Sequence, residues 1–149
     1  MNLITHIRHC QECNPNSPCG NGHLYVVELG RGIKDRYTVQ PGKGYLYVGS
    51  TGKSIEERFL DNLTRKDGTV VSIQEARDMP EDGQWKYNSP GTKKIRKHYV
   101  RHRPDLFYYQ YNPIILNKAD PNQLKRRETK LAKKLRNRGY KVFGDHGID

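Results

Sequence analysis

Two tyrosines, an arginine and a glutamate occupy positions where a chain that only needed a core would carry aliphatic side chains. Tyr25 and Tyr47 lie in short apolar segments that resemble strands. Arg58 and Glu128 lie on or beside the apolar stripes of two helical segments. One buried tyrosine is usually a packing residue with its hydroxyl at the rim of the core. Phenols beside a guanidinium and a carboxylate are less easily explained by packing, and they indicate a site that handles charged groups.

Glu128 is the most unusual of these residues. Leu124, Leu131 and Leu135 trace one helical stripe, and Glu128 occupies the remaining position on it. An unpaired buried carboxylate is costly, so the sequence predicts a partner for it. The partner is either an arginine, which would make an internal salt bridge, or a divalent cation.

The N-terminal segment holds all three cysteines of the chain, Cys10, Cys13 and Cys19. Cys10-x-x-Cys13 has the spacing of zinc ligands, and Cys19 is close enough in sequence to join them. The fourth ligand of a structural Zn²⁺ could be His23, His9 or His6. The alternatives are free thiols, or one cysteine pair with a third residue left over.

The charge of the chain predicts a polyanionic partner. It has 27 Lys and Arg against 16 Asp and Glu, with a formal net charge of +11 and a pI near 9.7. Such a surface attracts nucleic acid, although it could also serve solubility alone. Basic residues concentrate in 93–103 and 125–141, and aromatic residues in 107–111, a combination suited to backbone contact and base stacking. The predicted DNA-contacting residues are Gly49, Lys94, Arg96, Lys97 and Arg101.

The pattern of elements predicts an α/β (α+β) fold with a small, mainly antiparallel three-stranded sheet flanked by helices. Residues 23–29 and 45–48 form a hairpin, and residues 105–114 supply the third strand. Ser54 and Glu57 form a capping box that opens a helix. The last helix has Asp120 as N-cap and Gly139 just past its end, and a short strand or extended tail follows. Residues 1–22 form a separate cysteine-containing segment before one domain, 23–149, with an insertion around 64–105.

These residues resemble the GIY-YIG nuclease family. The first family motif, Gly-Ile-Tyr, resembles His23-Leu24-Tyr25, and the second, Tyr-Ile-Gly, resembles Tyr47-Val48-Gly49. In the family an arginine follows on a helix and a glutamate on a later helix, which matches Arg58 and Glu128. Many members carry a histidine one turn after the arginine, where this chain has Asn62; His98 or His102 could replace it in space.

The resemblance implies a metal-dependent endonuclease that hydrolyses DNA, such as a restriction-type, phage or mobile-element enzyme. Glu128 would hold one Mg²⁺ or Mn²⁺, and Arg58 would bind the scissile phosphate. Tyr25 or Tyr47 would be the general base, with its pKa lowered by Arg58 and the metal. Gly49 would allow a sharp turn beside the site. The expected partner is duplex DNA, and a double-strand cut would favour a dimer.

Other classes remain open from the sequence. A non-catalytic nucleic-acid-binding module on the same scaffold would bind DNA without turnover, and a ribosomal or RNA-associated protein would use its tyrosines for stacking. A membrane partner is not expected, because no apolar run approaches the roughly 18 residues of a spanning helix. The N-terminus lacks the apolar centre of a secretory signal, so the expected location is the cytoplasm.

Overall fold

Four helices and four strands make up the regular structure of the described residues. The computed structural model describes residues 10, 12–13, 19–30, 33, 43–107 and 111–144. In chain order the elements are β1 His23–Leu29, β2 Tyr45–Thr51, α1 Ile55–Asp61, α2 Ile73–Asp78, α3 Pro90–His98, β3 Tyr99–His102, α4 Gln123–Asn137 and β4 Lys141–Phe143. Within these ranges, no helix combines the length and apolar character needed to cross a bilayer.

The sheet is mixed, with strand order β3-β1-β2-β4. β1 pairs antiparallel with β2 and with β3, whereas β4 lies parallel to β2. The mixed α/β class is therefore correct, but the predicted three-stranded antiparallel sheet is not confirmed. Residues 141–143 form the fourth strand, β4. They can pair in parallel with β2 because a helix, α4, precedes them, and a parallel connection requires such a crossover.

The predicted third strand at 105–114 is wrong for its described part, because β3 is formed by the preceding Tyr99–His102. Residues 104–107 form a turn, and residues 108–110 lie outside the described residues. The segment after them approaches β1 by a single bridge between Gly22 and Ile114. Beside that bridge, the Asn112 side chain bonds both the amide and the carbonyl of Leu24, at 3.1 and 3.0 Å. The Asn112 side chain thus supplies the hydrogen bonds that a neighbouring strand would otherwise make with the backbone of Leu24.

Alternation along the strands divides the core into two layers. Tyr25, Val27 and Leu29 pack with α1, α2 and α3 on one face of the sheet. Leu24 and Val26 pack with α4 on the other face. Because side chains alternate along a strand, Ser50 shares the α4 face and Tyr47 the opposite one. The sheet therefore lies between α4 on one face and the three shorter helices on the other.

The helix boundaries follow local capping signals. Ser54 and Glu57 form the predicted capping box of α1, and Ser72 and Glu75 form a second one at α2. At α4 the predicted N-cap is wrong by two residues, because Asn122 precedes the helix and Asp120 pairs with Arg126 instead. Gly139 has a φ of +101° just after α4, which confirms the predicted glycine there.

Candidate active site and metal centre

The two tyrosines lie side by side on one face of the hairpin. The register pairs Tyr25 with Gly49 and Val27 with Tyr47, so both phenols project toward α1 and α3. Their ring centroids are 6.3 Å apart, with 30° between the planes. Tyr25 is 6% exposed and Tyr47 is half-buried. The hairpin register thus brings both phenols to one face of the sheet.

Each phenol rests on a glycine. A Cβ on Gly49 would lie 2.4 Å from the Tyr25 hydroxyl oxygen, and a Cβ on Gly91 would lie 2.5 Å from that of Tyr47. Gly49 sits inside β2 and is not among the glycines with positive φ, so the prediction that it permits a sharp turn is wrong. It is needed because the Tyr25 ring folds across the neighbouring strand at a distance that leaves no room for a side chain.

We expect Gly49→Ala to displace the Tyr25 ring and to lower the free energy of unfolding by about 1–3 kcal/mol. If Tyr25 acts in the site, DNA cleavage should fall at least about tenfold, because the phenol loses its position. Urea denaturation and plasmid cleavage measure the two effects. The matched control is Gly52→Ala, because a Cβ at Gly52 would meet nothing within 4 Å. Equal behaviour of the two variants would contradict the packing argument.

Arg58 on α1 is fixed by side chains from two helices. Its guanidinium donates to the Asn62 side-chain oxygen at 3.1 Å and to the Thr92 hydroxyl at 3.4 Å. Asn62 is 2% exposed and stands where many GIY-YIG members have a histidine. In this chain that position holds the arginine in place. The sequence could have indicated this role for Asn62, because it follows Arg58 by four residues and so lies on the same helix face.

Glu128 on α4 points inward, as its place on the apolar stripe predicted. It is 7% exposed, and its Oε1 accepts a hydrogen bond from the Ser50 hydroxyl at 2.8 Å. Lys125 Nζ lies 3.7 Å from Oε2. Ser50 directly follows Gly49, the residue that the Tyr25 ring covers. The Glu128 carboxylate is therefore hydrogen-bonded to the neighbour of that glycine in β2. Sequence reasoning missed Ser50, because only the α4–β2 contact gives it a role.

Charged groups from several elements affect the pKa of Tyr25. Burial raises the pKa of Tyr25, and the charge and hydrogen bond of Arg58 lower it. The carboxylates of Glu128 and Asp61 raise the pKa further. The net pKa shift is upward, so Tyr25 remains a neutral phenol near pH 7. The field of Arg58 acts in the predicted direction but is outweighed by burial.

His102 lies beside this site, and its ring is held by the aromatic layer. Its ring centroid is 6.5 Å from that of Tyr25, and the residue is 5% exposed. Its Nδ1 lies 3.0 Å from the Tyr99 hydroxyl within the aromatic layer. His102, one of the two histidines considered as spatial replacements, is therefore in ring contact with Tyr25.

The cysteines and His23 form a second, separate cluster that could hold a metal ion. One ligand atom each from Cys10, Cys13, Cys19 and His23 lies within 4.8 Å of all the others. His23 Nε2 is 3.3 Å from Cys13 Sγ and 3.5 Å from Cys19 Sγ. His23 is thus the histidine that joins the cysteines, whereas His6 and His9 lie outside the described residues.

The surroundings of this cluster suit anionic sulfur. The amides of Glu12 and Cys13 donate to Cys10 Sγ at 3.4 and 3.3 Å, and the Cys19 amide donates to Cys13 Sγ at 3.4 Å. Burial lowers the pKa of His23, which favours the neutral imidazole. Burial also raises the pKa of Cys13 to about 12, so a thiolate there needs a cation to stabilise it.

The residues predicted to contact DNA separate into surface and interior groups. Arg96 is fully buried, with hydrogen bonds to Glu81 and to the backbone of Tyr87, so contact with DNA is not open to it in this structure. Lys97 is half-buried, and its Nζ donates to the Arg77 and Met79 carbonyl groups at the end of α2. Gly49 is buried beneath Tyr25.

Two of the predicted DNA contacts remain accessible. Arg101 is exposed and lies 3.2 Å from Glu28. Lys94 is half-buried, with its Nζ 5.5 Å from the centre of the Phe143 ring. The basic segment 93–103 is therefore only partly a surface for a polyanion. Part of it contacts segment 64–89, where the guanidinium groups of Arg65 and Arg96 lie 4.6 and 4.4 Å from the centre of the Trp85 ring.

No protein-family model, curated protein or solved structure matches this chain. The likeness to GIY-YIG nucleases therefore depends on the residues and geometry described above.

Proposed function

We propose that this protein is a metal-dependent endonuclease that hydrolyses DNA phosphodiester bonds. The observation that carries the proposal is that adjacent residues of β2 join Tyr25 to Glu128: the Tyr25 ring covers Gly49, and Glu128 accepts a hydrogen bond from Ser50. Arg58 bonds Thr92 at the start of α3, next to Gly91, which packs against Tyr47. Glu128 is buried at a position where an apolar side chain would cost less to fold. The net charge of +11 supports an anionic substrate.

The phosphate would lie between Arg58 and the start of α3. Thr92, which accepts from Arg58, and Gly91, beside the Tyr47 hydroxyl, belong to the first turn of that helix. The first turn presents the positive end of the helix dipole, which favours an anion. Arg58 keeps a planar fork for phosphate oxygens and would counter the charge that builds up in the transition state.

Glu128 and Ser50 would hold the divalent metal. A carboxylate oxygen and a hydroxyl oxygen 2.8 Å apart are hard donors, and Mg²⁺ commonly takes one carboxylate and keeps several waters. Lys125, at 3.7 Å, is on the exposed side of α4 and could turn away. When bound, the metal would neutralise charge on the phosphate and on the leaving 3′ oxygen.

Tyr47 is better suited than Tyr25 to accept the proton of the attacking water. Its hydroxyl borders the first turn of α3, and it is less buried than Tyr25. In this assignment water attacks phosphorus, its proton passes to the Tyr47 phenolate, and the bond to the 3′ oxygen breaks. Tyr25, whose pKa is raised, would stay protonated and donate its O–H to a phosphate oxygen.

Incubation with supercoiled plasmid tests the proposal. Cleavage with Mg²⁺ or Mn²⁺ that stops on addition of EDTA would support it. Salt-sensitive binding with no turnover under any divalent cation would overturn it in favour of a non-catalytic nucleic-acid-binding module. Preferential binding of RNA without DNA cleavage would favour an RNA-associated protein.

We further propose that the cluster of Cys10, Cys13, Cys19 and His23 binds a structural Zn²⁺. With Zn–S bonds of about 2.3 Å, tetrahedral geometry places sulfur ligands about 3.8 Å apart, and nitrogen somewhat closer. The observed separations of 3.3 and 3.5 Å between sulfur and nitrogen are close to these values. Four protein ligands leave no open position, which is typical of structural zinc. His23 is the first residue of β1, so the ion would fasten the N-terminal segment to the sheet.

We expect purified protein to contain about one zinc per chain, and Cys13→Ser or His23→Ala to lower it below about half. Elemental analysis measures the content, and thermal unfolding should show a lower Tm for both variants because metal binding contributes folding energy. His9→Ala is the matched control for the histidine ligand and should keep its zinc. Absence of zinc in wild-type protein purified without chelators would contradict this assignment.

A further inference from the structure

A groove of about 750 Å³ beside α4 lies outside the proposed active site and zinc cluster. α4 forms one wall, and the chain on either side of residues 108–110 forms the other. Leu24 and Leu131 contribute apolar surface at its base, and aromatic and basic side chains surround them. No residue assigned above to catalysis, metal binding or phosphate binding lines this groove.

A row of unneutralised positive charge borders the groove. Arg127, Lys130, Lys134 and Arg138 follow one another at three- and four-residue spacing and line the groove. Within the part of the chain that the structure describes, none of them has a carboxylate within salt-bridge distance. The acid in the lining, Asp105, is paired with Arg103 at 2.9 Å. Like charges at this spacing destabilise a helix. The row therefore lowers the stability of the fold, and no contact within the described residues offsets this effect.

Two aromatic rings stand opposite this row. The ring centroids of Phe107 and Tyr111 are 5.6 Å apart, and Tyr111 is 56% exposed. The next residue, Asn112, is 1% exposed and is bonded on both sides to Leu24. Tyr111 therefore extends from an anchored piece of backbone, and its exposed ring is presented beside the groove at a fixed place.

We propose that this groove binds an unpaired strand of DNA, with bases on Phe107 and Tyr111 and phosphates on the basic row. Aromatic rings beside a cationic groove are the usual means of binding single strands, because every base offers a flat face and every linkage a charge. A duplex would meet the charges but not the rings, because its bases remain stacked on one another. The row from Arg127 to Arg138 spans about 16 Å of helix, enough for a short stretch of strand.

The choice of DNA rests on the proposed endonuclease function, and the inference adds a substrate class to it. The favoured substrate would be DNA with an unpaired segment beside the cleaved position. The basic row and Glu128 share α4, so a strand in the groove would run along the helix that carries the proposed metal ligand.

Binding of a fluorescent oligothymidylate of about 15 nucleotides tests the groove. Fluorescence anisotropy in EDTA is suitable, because it needs no cleavage and so gives a result even if the protein is not a nuclease. We expect Lys134→Ala and Tyr111→Ala each to raise the Kd about five- to tenfold. The matched control is Lys133→Ala, which removes the same charge one residue away, where the side chain does not line this groove. It should change the Kd less than about twofold.

The pattern across ligands separates the groove from general charge attraction. Tyr111→Ala should leave binding of a blunt duplex of the same length unchanged, and Tyr111→Phe should retain single-strand binding. Equal losses for Lys133→Ala and Lys134→Ala would overturn the proposal, as would an unchanged Kd in Tyr111→Ala. Binding of an oligouridylate more than about tenfold tighter than oligothymidylate would assign the groove to RNA instead. Circular dichroism checks that each variant folds.

Discussion

Glu128→Gln is expected to reduce Mg²⁺-dependent DNA cleavage by at least about 10³-fold, or about 4 kcal/mol of activation free energy. The amide cannot supply the negative charge that the proposed metal requires. It keeps the shape of the side chain and an oxygen that can accept from the Ser50 hydroxyl, so the α4–β2 contact should survive. Conversion of supercoiled plasmid to open-circle and linear forms measures the rate.

The same variant should bind DNA at least as tightly as the wild type and unfold at a similar temperature. The control is Asp78→Asn, which makes the matching change from acid to amide at an exposed position at the end of α2. Cleavage by that protein should be unaffected. Unimpaired nicking by Glu128→Gln would end the nuclease assignment for this residue, whatever the activity of the control.

Arg58→Ala is expected to lower kcat by about 10²–10³-fold, because the guanidinium would stabilise charge that develops only in the transition state. Arg58→Lys should recover only part of this loss. Lysine keeps the charge, but it cannot reproduce the fork that bonds Asn62 and Thr92 while facing a phosphate. Steady-state kinetics on a short DNA substrate separate kcat from KM.

A surface arginine supplies the comparison. Arg101 is exposed and ion-paired with Glu28 at 3.2 Å, so Arg101→Ala should act mainly on KM, through weaker DNA attraction. A change confined to KM in Arg58→Ala as well would reduce Arg58 to a binding residue. Full activity of Arg58→Ala would remove it from the site altogether.

Local sequence signals predicted the parts of the fold that depend on near neighbours. The two strands of the hairpin follow from their apolar segments and the glycines between them, whereas the shared face of the two tyrosines also needed the observed register. Ser54 and Glu57 start α1, and Gly139 ends α4, through hydrogen bonds and backbone conformations a few residues apart. The spacing of Cys10, Cys13 and Cys19 likewise indicated a metal cluster before its geometry was known.

Side-chain partners across the fold were beyond the reach of such signals. Arg96 sits in a basic segment that predicts surface exposure. It is nevertheless fully buried, because segment 64–89, which includes its partner Glu81, folds over it. Gly49 was assigned to a turn, whereas it makes room for a ring from the neighbouring strand. The pKa of Tyr25 or Tyr47 was expected to be lowered by Arg58 together with a metal; at Tyr25, burial outweighs the effect of Arg58 alone.

By itself, the sequence determined that the chain is strongly basic, that each hairpin strand carries a tyrosine, and that Glu128 lies on an apolar stripe. These properties follow from composition and from the periods of strands and helices. Tertiary structure alone decided that β4 joins β2 in parallel, that Ser50 meets Glu128, and that His23 completes the cysteine cluster. Each of those outcomes depends on contacts between residues distant in the chain or on the path of a loop, which local periodicity does not encode.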